Sequence, residues 1–172
     1  VPLQLPIGKE SAFQGVVDLV EETGYIFEEK EIKKTNIPES LVERVDSLRE
    51  KLIEVVVETD DELLMKYLEG EELEREEIRR GLRQGVLERK IIPVLCGSAT
   101  SNLGIQPLLE VIKQYLPSPV DRGAVEGVLP GTEQQEIREP QPDQPFSALV
   151  YKTQVDPYVG RINYFRVYSG TL

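Results

Sequence analysis

Apolar and polar residues alternate at the start of the chain, and a spacing of two predicts β-strands. Residues 1–7 alternate in this way until Gly8 stops the pattern. Residues 13–20 and 25–28 are apolar, β-branched runs on either side of Thr23-Gly24, a turn-forming pair. The first part of the chain is therefore predicted to contain a short strand followed by a hairpin.

From Pro38 to residue 90 the apolar spacing changes to three or four, which predicts three helices. Pro38 suits the start of the first helix. The second should begin at Asp60-Asp61 and end at Gly70. The third should extend over 74–90, although two internal glycines lower its helix propensity. The apolar stripe predicted for the first helix consists of Leu41, Val45, Leu48, Leu52 and Val55.

The second half of the chain changes pattern several times. Residues 91–96 are a continuous apolar run, typical of a buried parallel strand, and residues 105–116 are amphipathic. A strand, a polar loop and a packing helix predict the last βα unit of a doubly wound sheet. Residues 120–144 are rich in Pro, Gly, Gln and Glu and predict a linker. Alternation over 146–168, around Asp156-Pro157, predicts a terminal hairpin.

Composition narrows the possible functions. The 172 residues include 20 Lys plus Arg against 31 Asp plus Glu, a net charge of −11. Because nucleic-acid binding rests on neutralising phosphates, this chain is not expected to bind DNA or RNA on its own. Histidine is absent and Cys96 is the single cysteine, so no disulfide, zinc site or imidazole base is expected and a reducing, cytoplasmic compartment fits. No apolar run approaches the roughly 20 residues that span a bilayer, so no membrane partner is expected.

The loop of residues 96–102 is the first candidate for chemistry. Its sequence is Cys-Gly-Ser-Ala-Thr-Ser-Asn, and it lies between the predicted strand and helix, at the sheet edge where α/β proteins bind ligands. Small residues let backbone N–H groups approach a ligand closely, and such donors can read a carbonyl oxygen on a base. A plain helix-capping turn is the alternative.

Motifs along nearly the whole chain occur in the order found in one protein family. The segments that carry the resemblance are 1–8, 13–20, 92–99, 102–109, 115–119, 156–160 and 165–170. Those between 92 and 119, beginning Ile-Pro-Val-Leu-Cys-Gly-Ser-Ala, resemble the end of the GTPase domain of the elongation factor G family. The first two resemble the strands after that family's guanine-specificity motif, and the last two are similar to the entry of its second domain.

The resemblance implies an α/β fold: a partial GTPase sheet of the P-loop type with a mixed α+β insertion, then the first hairpin of a β-barrel domain. The chain, which does not begin with Met, is expected to be an internal piece of a longer protein. The implied divisions are a GTPase-domain strand, an insertion, the last βα unit of the GTPase domain, a linker and the start of the β-barrel domain. Their bounds are 1–8, 9–90, 91–119, 120–144 and 145–172.

The resemblance also assigns a partial guanine site. Ser98 and Ala99 would be the fifth GTPase motif, whose backbone amide contacts the guanine carbonyl; Thr100 would complete the loop and Gly97 would keep it open. Within the 172 residues there is no Gly-x4-Gly-Lys-Ser/Thr, Asp-x-x-Gly or Asn-Lys-x-Asp. GTP or GDP with Mg²⁺ is therefore expected in the full-length protein and none bound to this chain. No catalytic or metal-ligating residue is assigned, and no GTP hydrolysis is expected.

An acidic row on the first helix is the second candidate site. Its members recur every three or four residues opposite the apolar stripe: Glu43, Asp46, Glu50, Glu54 and Glu58. Like charges at this spacing are mildly destabilising, so their retention is consistent with a docking strip for a basic partner. In the family, a helix of the insertion is implicated in meeting the C-terminal domain of the ribosomal stalk protein. A solvated face balanced by Arg44, Arg49 and Lys51 is the alternative.

The terminal hairpin is the third candidate. It combines basic and aromatic residues, namely Lys152, Arg161, Arg166, Tyr151, Tyr158 and Tyr164. In the full-length family the second domain approaches ribosomal RNA, which such residues suit; packing inside a barrel is the alternative.

By resemblance, the full protein is a GTP-dependent factor for ribosomal translocation in protein synthesis. A ribosome-protection or recycling GTPase of the same superfamily, and an unrelated acidic α/β interaction domain, remain the alternatives.

Overall fold

A computed structural model describes residues 1–28, 31–129 and 131–172, which form two compact units, 1–116 and 117–172. The predicted insertion includes residues 29 and 30, and the predicted linker includes residue 130; these three lie outside the described residues. No helix in the described part of the chain is long and apolar enough to cross a bilayer.

The first unit opens with an antiparallel sheet whose four described strands follow one another in chain order. The strands are β1 (Gln4–Ile7), β2 (Gly15–Asp18), β3 (Thr23–Glu28) and β4 (Glu31–Thr35). The strand before Gly8 and the following hairpin were predicted, whereas β4 was not, because its five residues are all exposed and lack an apolar face. The edge strand of the sheet next to β3 is thus largely polar.

The turn between β2 and β3 lies four residues earlier than the sequence suggested. Thr23 and Gly24 belong to β3, and residues 19–22 make the turn. Asp18 fixes it, because its Oδ1 accepts hydrogen bonds from the N–H groups of Val20 and Glu21, each at 2.9 Å. The carboxylate, rather than the glycine, decides where the chain reverses.

Three helices follow, as predicted. They are α1 (Val42–Val57, after a 3-10 turn at Glu39–Leu41), α2 (Asp61–Leu68) and α3 (Arg75–Leu87). Asp60 caps α2 by accepting from the N–H of Glu62 at 2.9 Å. The stripe of α1 faces inward: Val45 and Leu52 are buried and the other three predicted members are partly buried.

The helices pack on one face of β1 and β2 to form the core. Its members include Leu3, Leu5, Ile7, Val17, Leu19, Val45, Leu52, Val56, Leu63, Ile78 and Leu82. The two glycines that lowered the helix propensity of α3 leave it unbroken, because they lie on its buried side. Gly81 faces Val56 and Gly85 faces Ile91, in places where a Cβ would come within 2.6 Å and 2.5 Å of a side-chain carbon.

Residues 91–96 were predicted to be a buried parallel strand, and this prediction is wrong. They form a single parallel bridge, Pro2 with Val94, supported by N–H···O bonds of 2.9 Å from Leu3 to Val94 and from Val94 to Val1. Only residues 1–3 of the described chain pair with this run, and Ile92 and Val94 are 75% and 52% exposed. A single β-bridge to one neighbouring segment does not make these residues a β-strand. The amphipathic helix was predicted correctly as α4 (Ile105–Tyr115).

The second unit contains two antiparallel hairpins. The first is β5 (Val125–Val128) with β6 (Gln135–Arg138), and the second is β7 (Ser147–Asp156) with β8 (Gly160–Ser169). The terminal hairpin was predicted. The first lies in the segment interpreted as a linker, where four-residue strands rich in Gly, Gln and Glu gave no readable alternation.

Candidate functional site

The loop between residue 96 and α4 is closed by two backbone hydrogen bonds. Ser98 N–H donates to Leu103 O at 2.8 Å, and Leu103 N–H donates to Ser98 O at 3.0 Å. Inside this pair, Asn102 N–H donates to Ala99 O at 3.2 Å, and Asn102 adopts a φ of 55°. The four residues between the paired positions therefore form a tight, exposed tip.

Glycines let the two sides of the loop approach each other. A Cβ on Gly97 would lie 2.9 Å from Leu103 O, and a Cβ on Gly104 would lie 2.8 Å from Cys96 O. Gly104, the N-cap of α4, also has a φ of 80°, a conformation that favours glycine. Gly97 was expected to keep the loop open; here it allows the close approach that shapes the tip.

The predicted guanine-contacting residues differ in what their backbones offer. Ser98 N–H is already engaged with Leu103, whereas no group in the described residues accepts from Ala99 N–H. Ala99 and Thr100 are exposed and Ser98 is half-buried, with Ser98 Oγ 3.4 Å from Thr100 Oγ1. Ala99 is therefore the residue of this pair that can donate to a ligand.

A depression of about 420 Å³ adjoins the loop. It is bordered by Ser98 and Cys96 on one side and by Gly8 and Phe13 on the other. Gly8 has a φ of 86°, and a Cβ there would clash with Ala12 O at 1.9 Å, so the turn that borders the depression requires glycine. Burial raises the pKa of the Cys96 thiol, which keeps it neutral at pH 7.

The structure places the whole acidic row on the surface. All five members are exposed, four on α1 and Glu58 at its C-terminal cap. Within the described part of the chain none of them forms an ion pair. The row is thus a strip of carboxylates that has no counter-ion among the residues the structure describes.

Arg49, which was expected to help balance the row, points elsewhere. Its guanidinium donates to Leu19 O and to Val20 O, the latter at 3.1 Å, and forms an ion pair with Glu22 at 3.1 Å. Its side chain is only 16% exposed. One of the three basic residues named for a balanced face is therefore committed to the β2–β3 turn.

The terminal hairpin displays its basic and aromatic residues outward. Lys152 and Tyr164 are opposite each other in the β7–β8 register, with Lys152 Nζ 5.4 Å from the ring centroid. Tyr151 and Tyr158 are 65% and 95% exposed. The described residues of this unit leave these tyrosines outside any core.

One group of polar residues was missed by sequence reasoning. Gln4, Asp18, Arg79 and Tyr115 come from four separate elements and line one cavity of the first unit. The only sequence signal was Asp18 itself, a carboxylate within the apolar run of residues 13–20.

Comparison with known proteins identifies the family. Residues 11–118 match the family described as the elongation factor Tu GTP binding domain. The chain is 48% identical over 180 aligned positions to elongation factor G of Thermotoga maritima, an alignment that covers all of this chain and 25% of the relative. A crystal structure of a Thermus thermophilus protein matches with a TM-score of 0.75 and 34% identity, over 98% of this chain and 23% of that one.

The chain therefore belongs to the family of the elongation factor Tu GTP-binding domain. Within that class its similarity is to elongation factor G, of which it spans about a quarter of the length. The predicted resemblance and the mixed α/β fold class are confirmed. An unrelated acidic interaction domain is excluded by this membership.

Proposed function

We propose that this chain is the part of a GTP-dependent ribosomal translocation factor that reads guanine and carries a docking insertion. Family membership and similarity to elongation factor G support the assignment. The observation that carries it is the N–H of Ala99, unpaired among the described residues and held at the tip of a tight loop ahead of α4. The domain organisation given by the sequence, with an insertion over 9–90 and a second domain from 145, is part of this proposal.

The residues present suit only one part of the nucleotide. Ala99 N–H is a donor for the guanine carbonyl, Gly97 and Ser98 hold the loop that presents it, and Thr100 completes its exposed tip. Phosphates and Mg²⁺ would be held by sequences outside these 172 residues. The chain alone is accordingly expected to hydrolyse no GTP, and the longer factor would act in the cytoplasm.

Guanine reading by Ala99 is tested by NMR titration of the chain with an excess of GDP, IDP or ADP, because without phosphate ligands any nucleotide should bind only weakly. GDP and IDP both carry a carbonyl at the position where ADP carries an amine, so a carbonyl-reading amide should respond to the first two only. Ala99→Pro removes the N–H and should abolish the response, whereas Ala99→Ser keeps it. Equal shifts with ADP, or an unmoved Ala99 amide at saturating GDP, would overturn the assignment.

The acidic strip is the proposed docking surface for the C-terminal domain of the ribosomal stalk protein. Every member of the strip is exposed and lacks a counter-ion among the described residues, an arrangement that suits a basic partner. Five unpaired carboxylates at helical spacing repel one another by a few tenths of a kcal/mol per pair, and a basic partner would relieve that repulsion.

Calorimetric titration with that domain, at low and moderate salt, tests the docking proposal. Saturable binding should weaken with salt and fall when Glu50→Gln and Glu54→Gln are combined. The matched control, Glu69→Gln with Glu72→Gln, removes the same charge from exposed positions beyond α2 and should leave binding unchanged. No binding by the folded chain, or equal losses in the two variants, would return the strip to an ordinary solvated face.

Ribosomal RNA is the proposed partner of the second unit in the full-length factor. The outward Lys152–Tyr164 pair and the exposed Tyr158 favour a nucleic-acid contact, because bases stack on such rings. A recycling or ribosome-protection GTPase would use the same groups. The alternatives are separated by an assay of ribosome-dependent translocation with the full-length factor. A translocation factor should be active in it, whereas a recycling or ribosome-protection GTPase should not.

A further inference from the structure

A cavity of about 320 Å³ in the first unit is lined by residues of the four-stranded sheet, α3 and α4. Its lining combines apolar side chains, such as Leu3 and Val111, with polar residues from five elements. Its polar residues include Gln4, Asp18, Glu21, Arg79, Glu110 and Tyr115. Neither guanine reading nor stalk docking involves this cavity.

Gln4 is the unusual member. It is 6% exposed, and its Oε1 is buried without a hydrogen-bond partner in the described part of the chain. An unpaired buried polar atom costs about 1–3 kcal/mol, and native structures rarely contain one without a reason. Because Gln4 lines the cavity, a ligand there would be within reach of this amide.

Asp18 lies beside Gln4. The two residues face each other in the β1–β2 register, so their Cβ atoms are about 5 Å apart on one sheet face. Asp18 Oδ1 is used by the turn, whereas its other carboxylate oxygen has no partner among the described residues. Burial, only partly offset by the two backbone hydrogen bonds, raises the pKa of Asp18, so the carboxylate has a weakly compensated charge.

Among the described residues that line the cavity, Arg79 is the one cation, and it is already engaged. Arg79 forms ion pairs with Glu21 and Glu76. The lining therefore carries Asp18, Glu21 and Glu110 against one shared guanidinium. The Asp18 charge, second to burial, also raises the pKa of Tyr25 and Tyr115, which places both phenols in its field.

We propose that this cavity binds a primary alkylammonium group. The ammonium donates hydrogen bonds to the second Asp18 oxygen and to Gln4 Oε1, neither of which has a partner among the described residues. The hydrocarbon stem lies along the apolar wall that includes Leu3 and Val111. A free diamine and a lysine side chain of a protein partner share this chemistry.

The proposal is tested by NMR titration of the 172-residue chain with 1,5-diaminopentane. Saturable shifts should be confined to amides around the cavity, such as those of Gln4, Glu21 and Val111. Tetramethylammonium has the same positive charge without N–H donors, so it should bind at least about tenfold more weakly. A second arm replaces the diamine with lysine capped at both backbone ends. Equal or tighter binding of the capped lysine assigns the site to a protein partner, binding of the diamine alone assigns it to a free amine, and binding of neither overturns the proposal.

Asp18→Asn keeps the acceptor for the Val20 and Glu21 amides and removes the charge, so affinity should fall by about tenfold or more. Asp61→Asn removes a charge from an exposed position of α2, outside the proposed sites, and should leave affinity unchanged. Gln4→Leu replaces the amide with an apolar side chain of similar size and should also lose affinity. This variant tests the site if Asp18→Asn does not fold. Equal affinities in all three variants, or shifts spread along α1, would show a diffuse counter-ion effect and overturn the site.

Discussion

Gly81 of α3 and Val56 of α1 touch so closely that a Cβ added to the glycine would lie 2.6 Å from Val56 Cγ1. Val56 is fully buried and branched at Cβ, which leaves it one favoured rotamer in a helix. Thr59 Oγ1 completes the contact by donating to Gly81 O at 3.2 Å. The absence of a side chain at residue 81 is what lets these two helices approach.

Gly81→Ala should therefore destabilise the chain even though alanine favours helices. Overpacking a filled core costs about 1–3 kcal/mol, against about 1 kcal/mol of helix propensity gained. Urea unfolding followed by circular dichroism measures the change. Ser47→Ala, at an exposed position of α1, is the control and should be neutral or slightly stabilising. A more stable Gly81→Ala variant would contradict the packing.

Gln4→Leu should stabilise the ligand-free chain, because it removes a buried oxygen that has no partner among the described residues. The gain is expected to be about 1–3 kcal/mol, the cost of one unsatisfied group. Gln106→Leu, an exposed position on α4, should change stability by no more than about 0.5 kcal/mol. Thermal unfolding of the three proteins side by side makes the comparison. A loss of stability in Gln4→Leu would mean that the amide is satisfied in solution.

The difference in the free energy of unfolding between the Asp18→Asn variant and the unchanged chain should shift in favour of the variant as the pH rises. Burial raises the folded-state pKa of Asp18 above 3.8, so the folded state binds this proton more tightly than the unfolded state. Stability from this group is thus fully present below pH 3.8 and is lost as the pH rises through the folded pKa. Urea unfolding at about pH 4 and about pH 7 measures the difference, which should grow with pH. A constant difference would contradict the burial.

Tyr115 should ionise at a higher pH than an ordinary tyrosine, because its phenol is buried. Burial, followed by the Asp18 charge, raises its pKa from 10.0 to about 12. The unfolded state therefore loses this proton first, and stability should fall as the pH rises from 10 toward 12.

Alkaline titration of tyrosinate absorbance tests this expectation. Tyr115→Phe should remove the component near pH 12 and make the fold more resistant to alkali. Tyr158→Phe, at a side chain that is 95% exposed, should leave that component in place. A titration unchanged by Tyr115→Phe would place the phenol in water.

Much of the first unit was readable from sequence, because the helical stripe of α1 repeats with its own period and needs no knowledge of distant residues. Residues 91–96 were misjudged for the opposite reason. A continuous apolar run predicts cover on both faces, but Ile92 is 75% exposed and pairing depends on which segments lie alongside. The β2–β3 turn was misplaced because Asp18 outweighs Gly24 through hydrogen bonds that local composition does not reveal.

The loop proposed to read guanine was recognised in the sequence, but the sequence did not indicate which of its N–H groups is unpaired. That depends on Leu103, whose carbonyl occupies Ser98 N–H and leaves Ala99 unpaired among the described residues. The alkylammonium cavity was invisible for a similar reason. Gln4 and Arg79 are far apart in the chain and become neighbours only when the sheet and α3 pack together.

The hydrogen bonds of Arg49 have a mechanical consequence. Its guanidinium anchors α1 to the carbonyls of Leu19 and Val20, so the helix cannot roll about its axis without breaking them. The direction in which the acidic strip faces is thus fixed by the backbone of a turn about thirty residues earlier in the chain. A change in the length of that turn would therefore rotate α1 and reorient the five carboxylates, although the sequence of the helix would be unchanged.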